Sequence, residues 1–196
     1  QRKAAQKMIY EVIVSTINAE GQPHVAPFGV RYEGDLVVIS PYKPSTTLAN
    51  ILGTQRAVLN VGHDGRVFAG ALTKQQDLNL VATEIVNGFR LKNVLLHKEL
   101  KLQTFEDDVQ RPQLFLQVVS EQYHQPFQGF NRAQAAVIEL AVLVSRLHML
   151  PKEKVLSEMA YLQIAIDKTA GERELQAWNW LIDKITNFYA EQTGDN

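Results

Sequence analysis

The sequence predicts an α+β protein in which strands come first and helices come last. Two observations carry this reading. Short β-branched runs broken by turn residues fill the chain up to about Tyr123, and apolar residues spaced i, i+3, i+4, i+7 run from Asn131 to the end. Between them lies a Pro- and Gly-bearing connector, His124–Phe130. The expected organisation is a strand domain over residues 1–124 and a helical subdomain over 125–196.

The elements follow in order. Ile9–Asn18 is β-branched on both faces, as a strand covered on two sides is. Glu20-Gly21 supplies a turn. His24–Tyr32 is a second strand interrupted by Pro27, which cannot donate to a ladder and so requires an edge or a bulge. A hairpin turn at Tyr32–Asp35 leads to a third strand, Leu36–Ser40. A short helix, Ser45–Leu52, is stopped by Gly53 just past its end. Arg56–Val61 is a fourth strand. Leu91–Phe105 and Leu114–Tyr123 read as two more, antiparallel, and Val67–Phe89 reads as short helices. The C-terminal part gives three helices. The first carries Ala133, Ala136, Val137, Leu140 and Val144; the second opens at Pro151 and ends near Gly171; the third carries Leu175, Trp178, Leu181 and Ile185.

Bulk composition bounds the function. The 196 residues are 45% hydrophobic and 21% charged, an ordinary globular balance. Twenty Lys and Arg against 21 Asp and Glu leave a net charge of −1, which argues against nucleic acid as a partner. The absence of cysteine excludes disulfides and thiolate chemistry and fits a cytoplasmic location. No apolar run reaches the ~18 residues of a membrane span, and the polar, basic Gln1–Lys7 has no apolar signal core behind it. The five histidines show no metal-ligand spacing, so no metal is expected; Gly62–Gly65 reads as a loop tip and Glu106–Asp108 as a solvated turn.

Chemistry concentrates in Ser40–Gly53. Pro44 biases Lys43 toward extended backbone, and Ser45 can cap a helix with Thr46 and Thr47 in its first turn. A helix N-terminus exposes unpaired N–H groups and the positive end of the dipole, so three hydroxyls and one ammonium around it suit a phosphate. The same segment also reads as an ordinary Ser-capped helix.

The order of segments favours the first. Ile13–Phe28, then Ser45–Ile51, then Arg56–Val61 resembles the FMN-binding split β-barrel superfamily of flavin-reductase-like and pyridoxamine-phosphate-oxidase-like proteins. Phe130–Glu139 followed by Ser145–Leu150 is similar to the helical tail of one archaeal and bacterial family of that superfamily, catalogued as a domain of unknown function. The resemblance implies an FMN-binding homodimer. Lys43, Ser45, Thr46 and Thr47 would hold the phosphate, and a bulge at Ala26, Pro27, Phe28 and Gly29 would offer backbone groups to the ring. Asn60 would reach the ribityl chain or ring edge. Arg132 would reach flavin or phosphate, or else stand on a solvated face behind an Asn131 cap. The expected activity is a flavin-dependent oxidoreductase taking a nicotinamide donor or a small-molecule substrate, with a possible context in tetrahydromethanopterin one-carbon metabolism. A non-catalytic flavin carrier, sensor or assembly protein is the alternative, and a deazaflavin or haem in the same barrel is a third reading.

Overall fold

The computed structural model of the chain describes residues 7–75 and 78–194; Gln76 and Asp77, inside the predicted helical stretch, and nearly all of Gln1–Lys7 lie outside them. The strands are β1 (Tyr10–Ile17), β2 (Pro23–Glu33), β3 (Leu36–Ile39), β4 (Arg56–Val61), β5 (Leu80–Ala82), β6 (Phe89–Leu91), β7 (Leu96–Glu106) and β8 (Gln113–Tyr123). The helices are α1 (Thr46–Thr54), α2 (Gly65–Thr73), α3 (Arg132–Val144), α4 (Lys152–Thr169) and α5 (Glu172–Thr193). Six strands close a barrel in the order β1-β2-β3-β8-β7-β4, and β5 with β6 forms a separate two-stranded ribbon. Every pairing is antiparallel. No helix of the described residues is long and apolar enough to cross a membrane.

The chain forms two compact units. The first holds the barrel and the ribbon and comprises residues up to 62 and 79–126; the second takes residues 63–78 together with those from 127 onward. The helical unit therefore gains a helix, α2, from the middle of the sequence.

In the first unit, alternation fills the barrel. Val12 and Val14 of β1, Val37 and Ile39 of β3, Leu59 of β4, Leu100 of β7 and Leu114 and Leu116 of β8 make one buried cluster, closed by Leu48 and Ile51 of α1. Two register shifts lie between β7 and β8. Val119 is passed over between Glu99↔Ser120 and Leu100↔Val118, and Gln103 between Leu102↔Leu116 and Thr104↔Phe115. The second shift brings Leu102 and Phe105 to the same inner face despite their odd spacing.

The outer face of β1, β4 and β7 is covered by the excursion that carries β5 and β6. Its backbone groups leave water and are met by side chains from three strands. Ser15 Oγ donates to Phe89 O at 2.5 Å, Leu91 N donates to Asn60 Oδ1 at 2.8 Å, and Ile85 N and Val86 N donate to Glu99 Oε1 at 2.8 and 2.9 Å. β1 is thus buried on both faces, as its composition predicts.

The second unit packs α2, α3, α4 and α5 around Ala69, Ala136, Val137, Leu140, Trp178, Leu181 and Ile185. Trp178 is buried, and Trp180, two residues on, packs at the edge of this core. Asn131 caps α3 by accepting from Gln134 N at 3.0 Å, and Asp64 caps α2 by accepting from Arg66 N at 3.1 Å. Gly65 is tight, since a Cβ there would lie 2.9 Å from Val137 Cγ1.

Four expectations are corrected. Gly53 lies inside α1, and Gln55 ends the helix in the left-handed region at φ 59°, its N–H bonded to Ile51 O. The segment Val67–Phe89 contains one helix and then an extended ribbon, because Leu80–Ala82 and Phe89–Leu91 are too short to show a period of two. Leu91 belongs to that ribbon, and β7 begins at Leu96. Gly62–Gly65 is a helix start capped by Asp64.

Asn60 tests the covering arrangement. Asn60→Ala leaves Leu91 N without its acceptor and removes the amide donor to Ile13 O and Ser15 Oγ. The variant is expected to lose about 2–4 kcal/mol of stability, with a lower denaturant midpoint and faster hydrogen exchange at the Leu91 amide; an unaltered midpoint would show that the clamp does not hold the ribbon.

Candidate functional site

The site begins with α1, whose position follows from its apolar residues. Leu48 and Ile51 enter the barrel core, which leaves the first turn and the segment before it at the rim. Ser45 is the N-cap, with extended backbone, and its Oγ accepts from Leu48 N at 3.1 Å. A serine hydroxyl that accepts from the helix still has its own proton to donate. Thr46 is exposed. Thr47 is 1% exposed, and its Oγ1 is buried with no hydrogen-bond partner among the described residues. Buried hydroxyls are nearly always satisfied, so this one is free to donate to a bound acceptor. Thr46 N and Thr47 N, in the first turn, also lack a backbone acceptor among the described residues. The donor set, two backbone N–H groups and the hydroxyls of Ser45, Thr46 and Thr47, matches a phosphate.

Lys43 stands just before this turn and is already engaged. Its Nζ donates to Asp107 Oδ1 at 2.7 Å, and its backbone N donates to Gln110 O at 2.8 Å. The Lys43 ammonium, helped by the Asp108 N–H, holds the Asp107 carboxyl below the usual carboxylate range. Arg111 lies across the same segment, donating from Nε to Ser40 O at 3.0 Å and from Nη1 to Tyr42 Oη at 3.2 Å, with its guanidinium 4.5 Å from the Tyr42 ring centroid. The β7–β8 hairpin tip is thus a strap over residues 40–43. Nothing in the sequence links Asp107 or Arg111 to Lys43 across some 64 to 68 positions; only the strand register places them together.

Ala26, Pro27, Phe28 and Gly29 stand half-buried in β2. The sequence predicted an edge or a bulge here, and the structure has the edge. Pairing with β1 runs unbroken from Tyr10↔Val30 to Ile17↔Pro23, while β3 joins β2 only from Val30 onward. Residues 23–29 therefore have a strand on one side alone, and Pro27 is accommodated without a register shift. The free backbone groups attributed to a bulge come from an unpaired edge. A Cβ at Gly29 would lie 2.8 Å from Ile9 Cγ2, so the exposed Ile9 side chain would have to move. His24, opposite Thr16, is half-buried, and burial lowers its pKa.

Asn60 has no free polar atom to offer a ligand. It is fully buried, its Oδ1 accepts from Leu91 N, and its Nδ2 faces Ser15 Oγ at 3.0 Å and Ile13 O at 3.2 Å. Its position on the covered outer face of β4 makes it a structural clamp. Arg132 is the exposed first residue of α3, behind the Asn131 cap, and belongs to the helical unit. The structure therefore brings together Lys43, Ser45, Thr46 and Thr47 around one helix start, and places Ala26–Gly29 on the barrel edge. Among the described residues, no group of three or more His, Asp or Glu could hold a metal ion.

Comparison with known proteins agrees with this architecture. Residues 10–125 match the family described as "Protein of unknown function (DUF447) N-terminal domain", and residues 131–183 match its companion, "Protein of unknown function (DUF447)". An FMN-bound protein of the same family from Methanosarcina mazei has a TM-score of 0.76 at 21% identity, over 91% of this chain and 96% of its own. The 2-nitrobenzoate 2-nitroreductase of Pseudomonas fluorescens gives a TM-score of 0.54 at 21% identity, covering 62% and 67%. The NADH:FAD oxidoreductase of Streptomyces globisporus gives 0.50 at 13% identity, covering 60% and 72%. A comparison with curated proteins returns no match. The fold is thus the split β-barrel found among flavin proteins, carrying C-terminal helices.

The hydroxyls can be tested without knowing the ligand's remainder. Thr46→Ala and Thr47→Val are each expected to weaken binding of a phosphomonoester such as FMN by ~1.5–3 kcal/mol. Thr47→Val is also expected to leave the free protein as stable or slightly more so, because it removes an unpaired buried hydroxyl. Loss of stability with unchanged affinity in a titration would make Thr47 a packing residue.

Proposed function

The chain belongs to the DUF447 family, matched in both its N-terminal and C-terminal parts, and on that premise we propose that it is an FMN-binding flavoprotein that acts as an oxidoreductase. The observation that carries the reading is the buried, unpartnered hydroxyl of Thr47 at the start of α1, beside the free N–H groups of the first turn. Support comes from the M. mazei protein, which is FMN-bound, and from two more distant folds, a nitroreductase and an NADH:FAD oxidoreductase.

In this reading Ser45, Thr46 and Thr47 donate to the phosphate, and the helix dipole favours its charge. Lys43 supplies a cation once its bond to Asp107 is exchanged. The unpaired edge at Ala26–Gly29 offers backbone donors and acceptors to a heterocycle. Bound flavin supplies the hydride and electron transfer, so the residues need only anchor it, orient it and limit water around it.

Purified protein is expected to be yellow, with absorption near ~450 nm from oxidised flavin, and to bleach anaerobically with NADH or NADPH. Protein that binds no flavin overturns the whole proposal. Protein that binds flavin but stays oxidised with nicotinamide, deazaflavin and pterin donors overturns the oxidoreductase and leaves a flavin carrier or sensor.

A homodimer is part of the same proposal. It is supported by two features: the half-paired stretch of β2 is a strand edge, and Met8, Ile9 and Tyr10, at the start of β1, are exposed apolar residues. Sedimentation at micromolar concentration is expected to give twice the chain mass of 22.1 kDa, and a monomer contradicts it.

A further inference from the structure

A second polar array lies on the outer face of the barrel, built on β7. Glu99 is 0% exposed and His97 is 2% exposed. One Glu99 oxygen, Oε1, takes both Ile85 N and Val86 N, which suffices to dock the covering loop. The other, Oε2, lies 3.1 Å from His97 Nε2, and His97 Nδ1 lies 2.7 Å from His124 Nε2, just past the end of β8. Holding the loop explains the first oxygen. It does not explain a buried imidazole and a second imidazole in line behind the other.

The protonation pattern follows from the charges. Burial pushes the Glu99 pKa up, but the Val86 N–H, His97 and the Ile85 N–H outweigh it and leave the group below the ordinary carboxylate range. At neutral pH Glu99 is an acceptor only, so His97 Nε2 carries a proton and donates. With one proton on its ring, His97 has a bare Nδ1, which accepts from His124 Nε2–H and leaves His124 Nδ1 bare at the half-buried end of the chain; with two, the same contact runs the other way.

The ring geometry suits proton transfer. The ring planes are within 12° and the centroids are 5.0 Å apart. Face-stacked rings would keep their nitrogens at least ~3.5 Å apart, so an N···N distance of 2.7 Å requires the rings to lie edge to edge, close to one plane. The charged groups nearby are Arg90 on β6 and Glu84, which accepts from Gln122. Lys98 and Glu121 pair at 4.0 Å and alternate to the opposite face of β7 and β8. Burial first, then the charges of Arg90 and of a protonated His97, lower the His124 pKa, which favours the neutral ring.

We propose that Glu99, His97 and His124 form an acid–base site, with His124 exchanging a proton with a small substrate that bears an acidic O–H, N–H or S–H. His97 and Glu99 are positioning residues behind it. In the forward step the substrate's proton goes to His124 Nδ1 and its bonding pair stays on the substrate. The His124 Nε2 proton passes to His97 Nδ1, and the resulting imidazolium rests against the Glu99 carboxylate. No electron is transferred, and the reverse step returns the proton. The site stands on β7 and β8 and does not depend on flavin binding.

Diethyl pyrocarbonate, which acylates neutral imidazole, tests this on the whole protein. At neutral pH the acylation rate at His124, read by peptide mass mapping, is expected to fall about threefold to tenfold in Glu99→Gln, the effect of about one unit of basicity. Exposed His148 serves as the internal control. An unchanged His124 rate, or a rate raised by loosening of the loop at Ile85 and Val86, overturns the proposal. Should Glu99→Gln not fold, nitrogen NMR of the wild-type rings decides. Nε2–H tautomers on both His97 and His124, titrating together, support the relay; an Nδ1–H tautomer on either, or independent titrations, overturns it.

Discussion

The barrel depends on how buried backbone is satisfied along the seam where β1 meets β4. Asn60 is the centre of that arrangement. Its amide nitrogen reaches β1 at Ile13 O and Ser15 Oγ, and its oxygen takes Leu91 N from the ribbon. One side chain thereby ties the closing strand pair to the segment that covers it. Ser15 and Glu99 extend the same principle, each accommodating backbone groups that burial would otherwise leave unpaired. A covering layer only three residues deep in each strand has little regular pairing of its own. Polar side chains from the barrel therefore replace the hydrogen bonds that a longer sheet would provide.

The candidate phosphate site follows from the opposite face of the same barrel. Leu48 and Ile51 are committed to the interior, and Asn50 Nδ2 bonds to Thr16 Oγ1 at 3.0 Å, so the rotation of α1 is fixed by both apolar and polar contacts. With the helix turned that way, Thr47 falls inside the rim and Thr46 outside it. Core packing thus sets which hydroxyl is desolvated. A hydroxyl held out of water makes a stronger bond to a charged oxygen than an exposed one, because water does not compete there. The Lys43–Asp107 pair works differently: it is solvent-exposed and easily exchanged.

Much of this was legible in the sequence where local chemistry decides. The β-branched run of β1, the Ser45 cap, the Asn131 cap and the three C-terminal helices all follow from residues acting within a few positions of one another. Pro27 was legible as an edge residue because its missing N–H excludes a central place; choosing between edge and bulge needed the register of β2 against β1 and β3. Gly53 was the obvious helix stop, yet Gln55 takes the left-handed position, since Arg56 must enter β4 in register with Lys101. The ribbon reads as helix in the sequence because strands of three residues have no measurable period. The same gap bears on Asn60. A polar residue on a strand looks available to a ligand when the segment that covers it has not been recognised.

The same reasoning explains why Glu99 and His97 did not stand out. Read along the sequence, Leu96–Leu102 carries Leu at 96, 100 and 102 between polar residues, close to the pattern of a strand with one wet face. At His97 and Glu99 that face is in fact dry, and a dry polar face changes what its residues can do. In water, a carboxylate and two imidazoles along adjacent strands would be independent titrating groups. Under the ribbon, the carboxylate is pinned by two N–H donors, which fixes the charge at one end. His97 Nε2 must then donate to it, so a proton gained or lost at His124 reverses only the contact between the two rings.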